Sequence, residues 1–284
     1  MYSQYGPTPR ICFNYLQPTS HLNDHETRLQ EALSTLTSRI LQKMVSGVRQ
    51  FSVDFTSHTI LLVKRRRGDE WNLATLEPIT PAVEMALRDQ LRSDTQAERL
   101  RLYYSLANVE GSRPLAGVVY RLLVQEKLRF QNTIVLNLVP MVKRRPDRSG
   151  PWHSTHGDGA DPSSVQSFNI TRTANDSFSS KPDSISNEVY YAPKAPNQVG
   201  FDSFIMANGR LFIFQFTTAS AHDIKNGILT FFSQYPLPPI ANWYFVFVVP
   251  PTSLELRCSQ PRDPALVAFL EKINMCSVVM NPEP

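Results

Sequence analysis

Three cysteines in 284 residues, Cys12, Cys258 and Cys276, are too few and too widely spaced for a disulfide framework. No Cys-x-x-Cys pair offers a zinc knuckle, so a reducing compartment is expected. No run of about 18 apolar residues occurs, which excludes an obvious membrane-spanning helix. The opening MYSQYGPTPR carries no apolar stretch of the secretory type. Without such a signal, the sequons Asn169-Ile170-Thr171 and Asn175-Asp176-Ser177 are expected to be chance matches. An intracellular protein, of nucleus or cytoplasm, is therefore expected. The familiar catalytic signatures are missing as well. No glycine precedes a lysine, so there is no phosphate loop. Gly-x-Ser-x-Gly, His-Glu-x-x-His and the dinucleotide glycine pattern are also lacking. Glycine is scarce, 11 against 22 prolines, which makes for stiff loops. Charged residues are 19%, below the usual share of about 25%.

What is present is a core. Hydrophobic residues are 42% and aromatics 10%, enough for one large domain or two small ones. The net charge of +4 and pI of 9.0 permit a nucleic-acid partner without requiring one. The basic residues cluster at Lys64, Arg65, Arg66 and Arg67, and again at Lys143, Arg144 and Arg145 with Arg148 following. Each cluster reads either as a solvated loop or as a patch for phosphate contact or nuclear import. His153 and His156 lie close together without a third metal ligand.

Periodicity divides the chain into two halves. After a proline-rich start, a helix is predicted from about Asn23, because Leu29, Leu33, Leu36, Ile40, Met44 and Val48 recur at steps of three and four. His58 to Arg65 and Trp71 to Ile79 read as a hairpin around Gly68 and Asp69. Thr80-Pro81 is a helix start, and Ala97 to Ala107 a further helix. Residues 1–108 are thus expected to form a mainly helical module with one hairpin. In 109–284, Arg113-Pro114 opens a helix and Thr133 to Val142 is a strand. Residues 143–187 are polar and are expected to be a long loop or partly disordered insert. Strands follow at Glu188 to Tyr191, Gln198 to Met206 and Arg210 to Thr217, with an Asn208-Gly209 turn between the last two. Ser220 to Asp223 reads as a capping box, which starts a helix near Ala221. Asn242 to Val249 is an apolar run of the doubly buried kind. A short strand near Leu256, a helix from Pro264 to Ile273 and the segment Cys276 to Met280 close the chain in an α/β order.

One stretch in this half, FDSFIMANGRLFIFQFTTASAHDIK, holds polar residues inside apolar strands. Asp202 sits in the first strand, and Gln215 and Thr217 share one side of the second by the two-residue period. The α-β-β-β-α-β order around it resembles the PD-(D/E)xK nuclease fold, a restriction-endonuclease-like mixed sheet flanked by helices. The resemblance implies that Asp202 and Gln215 hold Mg²⁺, that Lys225, one turn into the next helix, stabilises phosphoryl charge, and that Thr217 lines the site. Arg121, Glu126 and Glu188 are the nearest supporting polar groups. Two departures stand out. Gln215 offers a neutral carbonyl where a carboxylate is expected, and Thr217 carries no cation. The pair also has a purely structural reading, as a buried amide bonded to its surroundings.

The ordered set GPTPR, HTILLVKR, EPITPAVEMALRDQL, AGVVYRLL, NQVGFDSFI, IFQFT and NWYFVFVVP resembles fungal Crinkler-type, or retrotransposon-hot-spot-like, proteins over nearly the whole chain. In that family a nuclease-like domain commonly follows an NTPase domain. The resemblance implies phosphodiester hydrolysis of DNA, delivery into a host cell, and an NTPase domain preceding residue 1. The alternative it leaves open is a catalytically degenerate nuclease fold that binds nucleic acid or protein as an effector or regulatory module.

Overall fold

The computed structural model describes residues 20–47, 60–65, 74–143, 150–156, 161–194 and 200–283. The chain divides into two compact units, Met1–Leu123 and Val124–Pro284. The division falls inside one helix, Arg113–Phe130, and not at residue 108 where the change of sequence character lies.

In the first unit the long helix expected from Asn23 is two helices, α1 (Ser20–Ser34) and α2 (Ser38–Gly47). Local hydroxyls make the break. Ser34 and Thr35 donate back to the Glu31 carbonyl, and Thr37 Oγ1 accepts from Ile40 N–H at the new start. Strands β1 (Leu61–Arg65) and β2 (Ala74–Pro78) pair antiparallel, as the hairpin reading requires. Thr80 caps α3 (Pro81–Leu91) by accepting from Val83 N–H, with proline at the first turn. Thr95 and Glu98 form a reciprocal capping box on α4 (Gln96–Ala107). The end of α3 is closed by buried Arg99, whose guanidinium donates to the carbonyls of Leu91, Arg92 and Asp94.

Helix α5 (Arg113–Phe130) leads into the second unit. There the strands in chain order are β3 (Thr133–Pro140), β4 (Val142–Lys143), β5 (Trp152–Thr155), β6 (Gln166–Thr171), β7 (Ala174–Phe178), β8 (Val189–Pro193), β9 (Ser203–Ala207), β10 (Arg210–Phe216) and β11 (Ala221–His222). The short helix α6 (Gly227–Phe232) follows, then β12 (Trp243–Val249), β13 (Glu255–Cys258), α7 (Pro264–Leu270) and β14 (Asn274–Val279). The large sheet has the order β6-β3-β14-β12-β10-β9-β8-β7. Its edges, β6 and β7, are joined by only Arg172 and Thr173, so the sheet curls. A smaller sheet has the order β11-β13-β5-β4.

Two sequence expectations are corrected here. Residues 143–187 do not form one long loop, because β5, β6 and β7 lie among their described residues. Their apolar content is low since β6 and β7 present mostly exposed residues and bury one each, Ile170 and Phe178. The supposed capping box at Ser220 to Asp223 starts no helix. Ala221–His222 pair with Arg257–Cys258, and Arg257 N–H donates to the Ser220 carbonyl. Sheet pairing outcompetes the local helix signal, and α6 begins only at Gly227.

At the centre, β8, β9 and β10 form an antiparallel meander, and β12 lies parallel to β10 after the α6 crossover. β12 is flanked by β10 and β14, both parallel to it, and is buried from Tyr244 to Val249, as its uninterrupted apolar run predicts. One face of this centre carries the aromatic core, with Phe201, Phe204, Phe231, Phe232, Phe245 and Phe247 among its members.

Candidate functional site

The polar pair predicted from the sequence meets inside this core. The β9–β10 turn is tight because Asn208 and Gly209 both take positive φ, 53° and 68°. That sets the register: Ser203 faces Phe214, and Asp202 N–H donates to the Phe214 carbonyl at 2.8 Å. Asp202 and Gln215 are each only 3% exposed. Gln215 Nε2 donates to Asp202 Oδ2 at 2.7 Å, and Phe216 N–H donates to the same oxygen at 2.7 Å. A buried carboxylate is costly unless such bonds replace its water.

A third residue joins them. Gln125, buried on α5, donates from Nε2 to the main-chain oxygen of Asp202 at 3.2 Å. The sequence reading singled out its neighbour Glu126 instead. The signal was available: Val118, Leu122, Gln125 and Leu128 follow one helical stripe, and all four are buried. The Phe216 amide, by contrast, is a backbone group that no residue type announces.

Thr217 is buried beside the pair. Its N–H donates to the Val248 carbonyl and its Oγ1 accepts from Ala219 N–H, which turns the chain out of β10. Lys225 does not lie in a helix. It precedes α6 and is exposed. Its backbone nevertheless comes close to the Asp202 segment. Gly200 has φ +84°, and a Cβ there would sit 3.0 Å from Lys225 Cβ and 3.2 Å from the Lys225 carbonyl oxygen. The positive φ and the close approach together favour glycine there. His222, which the sequence reading passed over, has its ring 5.7 Å from that of Phe247, the residue opposite Gln215 in the β10–β12 register. Its Nδ1 is 2.8 Å from the Asp223 carbonyl oxygen.

Other expected contributors are engaged elsewhere. Arg121 forms an ion pair with Glu84 at 2.8 Å. Glu188 takes a positive φ of 61°, and its backbone bonds Met206 and Thr173. Lys143 is largely covered, pairs with Glu271 at 2.8 Å and lies 4.3 Å above the Trp152 ring. Of the remaining basic residues, Arg66, Arg67, Arg144 and Arg145 lie outside the described residues, and Lys64 and Arg65 are described only as part of β1.

The donor set does not fit Mg²⁺. A hard divalent cation needs several oxygen ligands, usually including more than one carboxylate or phosphate. Here one carboxylate meets an amide that presents its N–H₂, and a backbone N–H takes the same carboxylate oxygen. Among the described residues no group of three or more His, Cys, Asp or Glu could hold a metal ion. His156 is buried, with its Nε2 3.5 Å from Ser154 Oγ, and burial lowers its pKa. Cys258 and Cys276 are free but inert, since burial pushes both thiols up to about 12.

No family model, no curated protein and no solved structure matches this chain. Among the described residues no helix is long and apolar enough to cross a membrane.

Proposed function

We propose that residues 124–284 form a restriction-endonuclease-like domain of the Crinkler type that binds DNA without cutting it. The observation that carries this reading is a juxtaposition. Asp202 enters the second strand of the β8–β9–β10 meander, Gln215 ends the third, and their side chains meet at 2.7 Å. Strand β12 then returns parallel to β10 after helix α6, which supports the β-β-β-α-β part of the expected order, although β3 to β7 separate α5 from the meander and β11 precedes α6. The exposed Lys225 lies on a segment whose backbone packs against Gly200, two residues before Asp202. Cleavage is left out because the site's own residues do not fit the Mg²⁺ that the resemblance implies. The chain's net charge of +4 permits a polyanionic partner without requiring one, and residues 124–284, with 14 Lys and Arg against 13 Asp and Glu, carry +1 of it.

Fluorescence anisotropy of a labelled DNA duplex, titrated at several salt concentrations, tests the binding. The logarithm of affinity is expected to fall linearly with that of salt, and Lys225→Ala to lower the slope by about one phosphate contact. A slope near zero for the wild type would remove the DNA reading in favour of a protein ligand.

A further inference from the structure

We propose that the Gln215 amide stands in for a cation at Asp202, so that the β9–β10 hairpin is locked without a divalent ion. This proposal rests on the geometry of the pair alone, and it survives or fails independently of DNA binding.

A carboxylate that is 3% exposed has three routes to compensation: a metal ion, a proton, or hydrogen-bond donors. The donors are in place. Gln215 Nε2 and Phe216 N–H converge on Oδ2, each at 2.7 Å, the short range typical of bonds to a charged acceptor. Two donors on one oxygen occupy the lone pairs that a cation would use. A cation at Oδ2 would have to displace both, and one of them is fixed by the backbone of β10. Rotating the Gln215 amide to offer Oε1 would set an oxygen against the carboxylate at the same 2.7 Å, which is repulsive. The arrangement is therefore self-consistent as it stands and opposes metal entry at Oδ2.

The hold extends in both directions. Asp202 N–H donates to Phe214, and Asp202 O accepts from Gln125. One residue thus ties β9, β10 and helix α5 together. Gln215 acts here through Asp202 and is a positioning residue.

The test is thermal unfolding of the whole protein in EDTA and in millimolar MnCl₂. The wild type is expected to melt at the same temperature in both. Gln215→Met keeps the length of the side chain but loses the donor, and is expected to melt roughly 5 °C lower in both conditions. Gln215→Glu sets two carboxylates together, and is expected to melt lower in EDTA and to recover when Mn²⁺ is added. A wild-type melting temperature that rises with Mn²⁺, where that rise is lost in Asp202→Asn, would overturn the proposal. So would a Gln215→Met protein as stable as the wild type. A rise with Mn²⁺ that persists in Asp202→Asn places the ion elsewhere and supports the proposal. If Gln215→Glu does not fold in either condition, the wild type and Gln215→Met still decide the matter.

Discussion

At Asp202 charge and burial meet, and the neighbours resolve the conflict with neutral donors. His156 resolves the same conflict by giving up its charge. Burial lowers its pKa from the ordinary 6.5, so the unfolded chain takes up a proton at a higher pH than the folded one. Stability is therefore expected to be flat above that value and to fall as pH drops from it toward the lower folded-state pKa. Denaturant midpoints measured across this range check the sign. His156→Gln, which cannot titrate, is expected to remove that part of the slope. At this scale the sequence was partly legible. Gln215 stood out because a glutamine interrupts an apolar strand, and the two-residue period placed Thr217 on its side. The role of the amide was not legible, since a residue type does not say which end faces a neighbour. Lys143 read as a phosphate contact because it begins a basic run. Its ion pair with Glu271 joins parts of the chain more than a hundred residues apart, and its packing on Trp152 reaches across to a neighbouring strand.

Elements were most legible where one local signal acted alone. Thr80-Pro81, the Asn208-Gly209 turn and the β12 run all appear where expected. They failed where pairing with distant segments decided, as at β6, β7 and β11. The two glycines flanking the β9 hairpin separate backbone from packing. Gly209 has φ +68° with nothing within 4 Å of an added Cβ, so Gly209→Ala carries only the left-handed penalty, about 1–2 kcal/mol. Gly200 has φ +84° and would also drive its Cβ against Lys225 backbone and Cβ atoms. Gly200→Ala is expected to destabilise by at least about 1 kcal/mol more than Gly209→Ala in chemical denaturation, from strain in a packed site. Equal losses would mean that the Lys225 segment yields freely.

Over the whole molecule the two halves were visible as a change of periodicity, but their boundary was not. A helical pattern continues unbroken through Arg113–Phe130, and the compact units divide within it. The curl of the large sheet was equally hidden, because it depends on β6 and β7, consecutive in the chain, taking opposite edges. What the whole molecule is expected to do is hold DNA beside a locked, metal-free Asp202–Gln215 pair. The most direct measurement is a gel of supercoiled plasmid incubated with the protein in millimolar Mg²⁺ or Mn²⁺, run both before and after the protein is stripped off. The expected result is a retarded plasmid that is still supercoiled once stripped, for wild type and Asp202→Ala alike. Plasmid nicked or linearised by the wild type and left intact by Asp202→Ala would contradict the account.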